Sequence, residues 1–349
     1  MTKPEENKIV IACIIISCAG PFFFCGCNQN PAGQRTLADF STDPLEARAA
    51  GIIQQALAGS DPQVRANAIE VAAATNKREF MSDIQRLLRD EFVPVRFAAA
   101  VAIGDARYPP AKNGVIQLLK DNDENVRIAA CYAIVKLGGT GAPPRQTNPG
   151  EQIRVAMTSS DQKVRANAAF LSGKIGDVTA LPLLYQAIRD DTSDDRVRLN
   201  SIEAIARLGD ERIYQKIWAM LISAYADDRV CGIQAMGALG NTQARDSLLI
   251  MLKDDLIEVR LAAAEQLGNL GNIEGEKIVL DALTEGISAA PDPESKERIQ
   301  RLAALAIGQI GTPALKKFLP ELLKNESQFV RLAAAKAVFK CAIRDNTGR

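Results

Sequence analysis

The sequence predicts an all-α protein, a solenoid of about nine stacked helix pairs. Three observations carry that prediction. The stretch VRLAAA at 259–264 returns letter for letter at 330–335. Aligned on its Val-Arg pair, the chain places arginines at Arg65, Arg96, Arg127, Arg165, Arg198, Arg229, Arg260 and Arg331, with Gln300 in the slot of a ninth unit. The steps between them are 31, 31, 38, 33, 31, 31, 40 and 31, and a period of this size defines a repeat array in which each unit buries its apolar face only against its neighbours.

Before the array, residues 1–27 form an export signal or lipoprotein-type anchor. A charged start is followed by an apolar run and an abrupt polar switch at Asn28. The run ends Phe24-Cys25-Gly26-Cys27, which resembles the lipobox of bacterial lipoproteins and makes Cys27 the candidate for lipidation. Two alternatives stand beside it, a second site at Ile15-Ile16-Ser17-Cys18 and an uncleaved anchor over Ile9 to Cys27. All three put the body of the protein at a membrane, facing the periplasm or cell exterior of a bacterium. Residues 28–44, rich in Asn, Pro, Gly and Thr, are read as a flexible tether.

The solenoid is expected over 45–343. In each unit a short first helix ends in a leucine pair with charge, as in RLLRDE at 86–91, QLLKDN at 117–122 and ELLKNE at 321–326. The second helix begins near an aspartate; Asp61, Asp123, Asp161 and Asp194 stand three residues before the valine, where a side chain caps orphan amides. It stops at Gly138, Gly176, Gly209, Gly240, Gly271 and Gly311, where a left-handed residue is wanted. Counted from the valine as zero, positions 0, 4, 7, 8 and 11 make a core face. Position 9 is small (Gly104, Gly173, Gly237, Gly268 and Gly308 among others), so a neighbour must approach closely there. Positions 3, 6 and 10 form the one polar strip.

The arginines at position 1 point away from that strip, toward the adjoining unit. A cation in the first turn opposes its own helix dipole. A column of them at one slot therefore calls for acidic partners, expected to be aspartates of the same or an adjoining inter-helix turn, and is read as a structural ladder. Two longer inserts interrupt the period, 138–152 and 286–297, each a candidate recognition loop. Residues 344–349 are left as a C-terminal tail.

The unit D-x-x-V-R-x-x-A-x-x-A-[LI]-x-x-[LI]-G resembles the HEAT repeat, in the HEAT-like form named after the phycobilisome lyases. The resemblance covers about residues 45–343 and departs in few places: Thr75-Asn76 replaces Leu-Gly, Asp228 replaces the valine and Gln300 the arginine. It implies a right-handed curved rod of antiparallel helix pairs, with the second helices lining the concave face.

Composition narrows the function. With 42 Lys plus Arg against 42 Asp plus Glu there is no general attraction for nucleic acid. The absence of histidine removes Ser-His-Asp and Cys-His nucleophiles and histidine-bearing metal sites, so no metal and no cofactor is expected. Deoxyhypusine hydroxylase has similar repeats but holds iron through His-Glu pairs that this chain cannot supply. Cys131, Cys231 and Cys341 fall in different repeats and are read as small buried residues.

Position 6 offers Val101, Tyr132 and Phe170 in succession, with Lys136 and Lys174 one turn on. Aromatics beside cations on an exposed strip mark a candidate hot spot for a protein or peptide partner. The sequence thus points to a non-enzymatic, membrane-tethered scaffold binding on its concave face. A lyase-like enzyme acting on a tetrapyrrole or other small molecule in the groove is the alternative.

Overall fold

The computed structural model describes residues 43–138 and 148–347. The anchor, Cys27, residues 28–42 of the tether and most of the first insert lie outside the described residues, while Asp43 and Pro44, expected in the tether, cap and begin the first helix.

Nine helix pairs follow one another, and among the described residues there is no strand. The second helices run Pro62–Ala74, Val93–Asp105, Glu124–Lys136, Gln162–Ile175, Asp195–Arg207, Ala226–Leu239, Ile257–Asn269, Pro293–Ile310 and Gln328–Thr347. The first helices are mostly shorter, from Pro44–Leu57 of unit one to the two fragments Pro313–Lys316 and Leu319–Leu322 of unit nine. Asp61, Asp123, Asp161 and Asp194 cap as the spacing predicts, each accepting from backbone amides of the first turn. In units two, six and seven the same slot holds Phe92, Tyr225 and Leu256, which make no side-chain cap bond. Losing such a cap costs about 1 kcal/mol.

All six terminating glycines have positive φ, from 64° to 84°. Asn76 (φ 57°) and Arg107 (φ 44°) fill the same slot in units one and two. Asparagine reaches that region readily. Arginine pays roughly 1–2 kcal/mol for it.

The small residues at position 9 explain the curvature. A Cβ built on Gly173 would lie 2.8 Å from the Cα of Ala204, and one on Gly308 would lie 2.8 Å from the Cα of Ala337. Backbones of consecutive second helices therefore nearly touch, while the first helices stand apart on the outside. Small rotations of constant hand accumulate from unit to unit.

The accumulation closes the molecule. The last helix, Gln328–Thr347, packs against the first and second helices of unit one, so the array is a ring and not the open rod implied by the sequence. At the seam Phe339 meets Phe80 edge-on at 6.2 Å, and the Lys77 ammonium lies 5.5 Å from the Phe339 ring centre. Residues 344–347 are correspondingly no tail but the last turn of that helix, with Arg344 donating to the carbonyls of Ile310 and Gly268. The second insert is also mostly helix: it extends the first helix of unit eight and lengthens the second to 18 residues from an Asp292 cap.

Candidate functional site

Two sets of polar groups are built by this ring: the arginine rungs between units and a charged cluster on the axis. Four arginines reach an aspartate 25 residues ahead, in the inter-helix turn of the next unit: Arg65 to Asp90, Arg96 to Asp121, Arg165 to Asp190 and Arg229 to Asp254, all at 2.8–2.9 Å. In Arg65 and Arg96 the fork is bidentate. The same guanidinium also donates backward, as Arg65 does to the carbonyls of Gly59 and Ser60. Those carbonyls close the first helix of its own unit. The cation thus sits at the start of one helix but also at the negative end of another, which resolves the apparent conflict with its own dipole.

Arg127, Arg198, Arg260 and Arg331 keep the backward bonds alone or add a distant contact. The residue in the aspartate slot ahead of Arg127 is Ser159, and ahead of Arg198 it is Ser223. Gln300 accepts from Asn325, again 25 residues on, so the ninth rung is a neutral copy of the others. Burial tends to raise the Asp121 and Asp254 carboxyls, but the arginine and the local amides hold both below the usual range. Asp190 is held at about 2 by the Thr192 hydroxyl and amide and then by Arg165.

The axis is lined by positions 6 and 10 of the second helices. Lys174 of unit four bridges to Asp105 of unit two at 2.7 Å, and the Tyr132 hydroxyl of unit three donates to the same carboxylate. Lys136 donates to the Lys174 carbonyl at 3.5 Å and lies, like Lys174, 5.9 Å from the Tyr132 ring centre. Burial lowers the Lys136 ammonium, and burial followed by the Asp105 charge raises the Tyr132 phenol. Glu203 and Arg207 pair at 2.5 Å within unit five.

This arrangement corrects the expected hot spot. Tyr132 is 0% exposed, Phe170 7% and Val101 8%. Stacking of units two, three and four packs Tyr132 and Phe170 against Lys136 and Lys174, and Tyr132 onto Asp105, so these side chains are spent on one another and not presented to a partner. The sequence strip was read correctly as a shared face. Its partners lie in the adjoining units, Asp105 of unit two and Lys174 of unit four, and the tight curvature that lets those two meet past Tyr132 is not visible in the period.

Sequence reasoning also passed over Glu70, the most perturbed acid described. It faces Lys336 of the last helix, Lys174 and Asp105, and burial, opposed by the two lysines, pushes its pKa up to about 8 from an ordinary 4.5. Below pH 4.5 it is protonated folded or unfolded. As the pH rises from there to about 8 the unfolded chain releases the proton while the ring retains it, so stability falls across this window. Denaturant titrations from pH 4.5 to 8.5 are expected to show a decline of about 2 kcal/mol that Glu70→Gln removes, residual water contact discounting the full linkage value. An identical pH slope in the variant would refute the assignment.

The described residues contain no cluster of His, Cys, Asp and Glu suited to a metal, and Cys131, Cys231 and Cys341 are buried thiols. No described helix is long and apolar enough to cross a membrane. A groove of about 590 Å³ lies on the outside, between the first helices of units two and three, lined by Arg86, Arg89, Asn113 and Gln117 among others.

Fold and axis together define a class: an α-solenoid repeat protein whose second helices form the inner wall. A family model described as HEAT repeats matches residues 49–135 and 151–230, so HEAT repeats are found over these two stretches. Similar solved structures include the CpcE–CpcF complex of phycocyanin lyase from a Nostoc species, at 18% identity, TM-score 0.38, and coverage of 74% of this chain and 94% of that one. Human deoxyhypusine hydroxylase is similar at 17% identity and TM-score 0.34, covering 86% and 97%. Importin beta is similar at 14% and 0.35, covering 84% and 46%. A search of curated proteins finds no matching relative.

Proposed function

We propose that the protein is a non-enzymatic scaffold, lipid-anchored through Cys27 at a bacterial membrane and facing the periplasm or exterior, that holds protein partners on its outer surface. The observation that carries this reading is the self-pairing of the axis: Lys174, Asp105 and Tyr132 satisfy one another across three units. A face occupied by its own charges has little left for a ligand. The large apolar side chains that remain exposed, such as Ile222, Tyr225 and Ile250, stand on turns and outer helices instead.

Intact-mass analysis of the membrane fraction tests the anchor. Wild-type protein is expected to carry a diacylglyceryl group on a new N-terminal cysteine, and Cys27→Ser to accumulate as unprocessed precursor. Wild-type protein of unmodified mass in the soluble fraction would sink the tether. Crosslinking in the same fraction tests the scaffold, which predicts specific protein adducts. A saturable absorbance change on adding a bilin would favour the lyase-like alternative.

A further inference from the structure

The groove of about 590 Å³ on the outside of units two and three is a polar trough. One wall is the helix Met81–Arg86 with its continuation Leu87–Arg89, and the other is Lys112–Leu118. Gln85, Arg86 and Arg89 line it from one side and Asn113 and Gln117 from the other, with the buried Leu88 and Leu118 at its base. Gly114 keeps the second wall low. A glycine in mid-helix costs helix stability, and here a Cβ would lie 3.0 Å from the Leu88 Cδ1.

Folding makes little use of the polar groups that line it. Among the described residues, the side chains of Gln85, Arg89, Asn113 and Gln117 make no hydrogen bond or ion pair within the protein. Arg86 meets Asp83 at 3.3 Å, with the two side chains 62% and 38% exposed, a pair that contributes little. Three carboxamides and two guanidinium groups therefore share one concave surface with their hydrogen-bonding capacity unspent.

The trough has one sign of charge. Its lining contains no Asp or Glu. The carboxylates that close the two walls, Asp90 and Asp121, are each held by both nitrogens of an arginine fork, from Arg65 and Arg96. Widening the count does not cancel the excess. Residues 76–138, the whole of units two and three, carry ten Lys plus Arg against eight Asp plus Glu, in a chain of zero net charge.

Spacing adds a length. From Ser82 to Arg89 the wall runs about 10 Å, the reach of about three extended residues. Arg86 and Arg89 stand one turn apart, about 4.5 Å along the axis. Alternate side chains of an extended segment project to one side about 6.6 Å apart. Two acids separated by one residue can thus each engage one guanidinium, while carboxamides, which both donate and accept, suit the peptide groups between them.

Resting on the scaffold reading, we infer that this groove docks a short, extended, acidic segment of a protein partner, with two Asp or Glu one residue apart set against Arg86 and Arg89 and its peptide groups against Gln85, Asn113 and Gln117. Charge complementarity gives such a site its selectivity.

The test uses the full-length protein in nanodiscs of zwitterionic lipid and a display library of random octapeptides. Wild-type protein is expected to enrich peptides with two acids one residue apart. Their affinity is expected to fall about tenfold or more on Arg86→Gln/Arg89→Gln, with a weaker salt dependence, and about threefold on Asn113→Ala/Gln117→Ala. Arg78→Gln/Lys120→Gln, which removes exposed cations outside the lining, is expected to change it less than about twofold. Arg86, Arg89, Asn113 and Gln117 are exposed, so an unchanged thermal melt verifies the fold of each variant. No enrichment, enriched peptides without acids, equal binding by the Arg86/Arg89 variant, or an equal loss in the Arg78/Lys120 variant would overturn the groove site. Each of these would leave the scaffold reading standing, which the crosslinking decides separately. A concentration-dependent dimer lost in the Arg86/Arg89 variant would make a second copy the occupant and overturn the inference too.

Discussion

Replacing Phe339 by alanine is expected to open the ring without melting it. Phe339 is 2% exposed and sits in the seam against Phe80, which is 0% exposed. Emptying such a site costs about 3–5 kcal/mol. In a repeat array stability is close to a sum of unit and nearest-neighbour terms, so loss of one interface need not propagate to the others. An open spiral keeps its remaining junctions and forfeits only this one. Circular dichroism should thus report unchanged helix content while small-angle scattering reports a larger radius of gyration. A variant with wild-type dimensions, or one that unfolds throughout, would show that the seam is not an independent interface.

Asp90→Ala is expected to cost a similar 3–5 kcal/mol, by a different route. The Arg65 and Asp90 side chains are 9% and 8% exposed, and removing one partner strands the other charge in a poorly hydrated junction. Replacing both, as Arg65→Met with Asp90→Leu, should restore most of the loss, because the pair's own attraction barely exceeds its desolvation cost. Arg65 also closes the carbonyls of Gly59 and Ser60, which leaves part of the deficit in the double variant. Denaturant unfolding of the four proteins of this cycle measures the coupling directly. A loss below about 1 kcal/mol in Asp90→Ala would mean the rung is solvated like a surface pair.

The two expectations differ in how visible their basis is in the sequence. The rung follows from spacing: arginine at one slot, aspartate 25 residues on, and the neutral Gln300–Asn325 substitute at the same interval. The seam follows from nothing local. Phe80 and Phe339 lie at opposite ends of the array, and whether helix pairs of this sequence spiral past one another or meet depends on a small rotation repeated at every junction. For the same reason the strip at positions 3, 6 and 10 was legible as one polar face, but its fate was not. Val101, Tyr132 and Phe170 are buried because units two to four pack tightly enough for Lys174 to reach Asp105 past Tyr132. Glu70 shows the same limit, since burial raises its pKa and the first of the charges opposing that rise, Lys336, comes from the final helix.

The inter-helix turns of units six and seven lie between these cases. Tyr225 and Leu256 stand out in the sequence as apolar residues where aspartates cap other units. Only the structure shows that the two turns adjoin through Arg229 and remain uncovered.

By itself the sequence determined the helix pairs, their caps and stops, the close approach at position 9 and the arginine slot. Each of these depends on contacts within about one repeat, and the repeat states each of them several times over. Tertiary structure alone decided that the array closes, that the inner wall is consumed by its own charges, and which apolar side chains stay outside. Closure is a sum of small angles over the whole chain, and no single unit contains that sum.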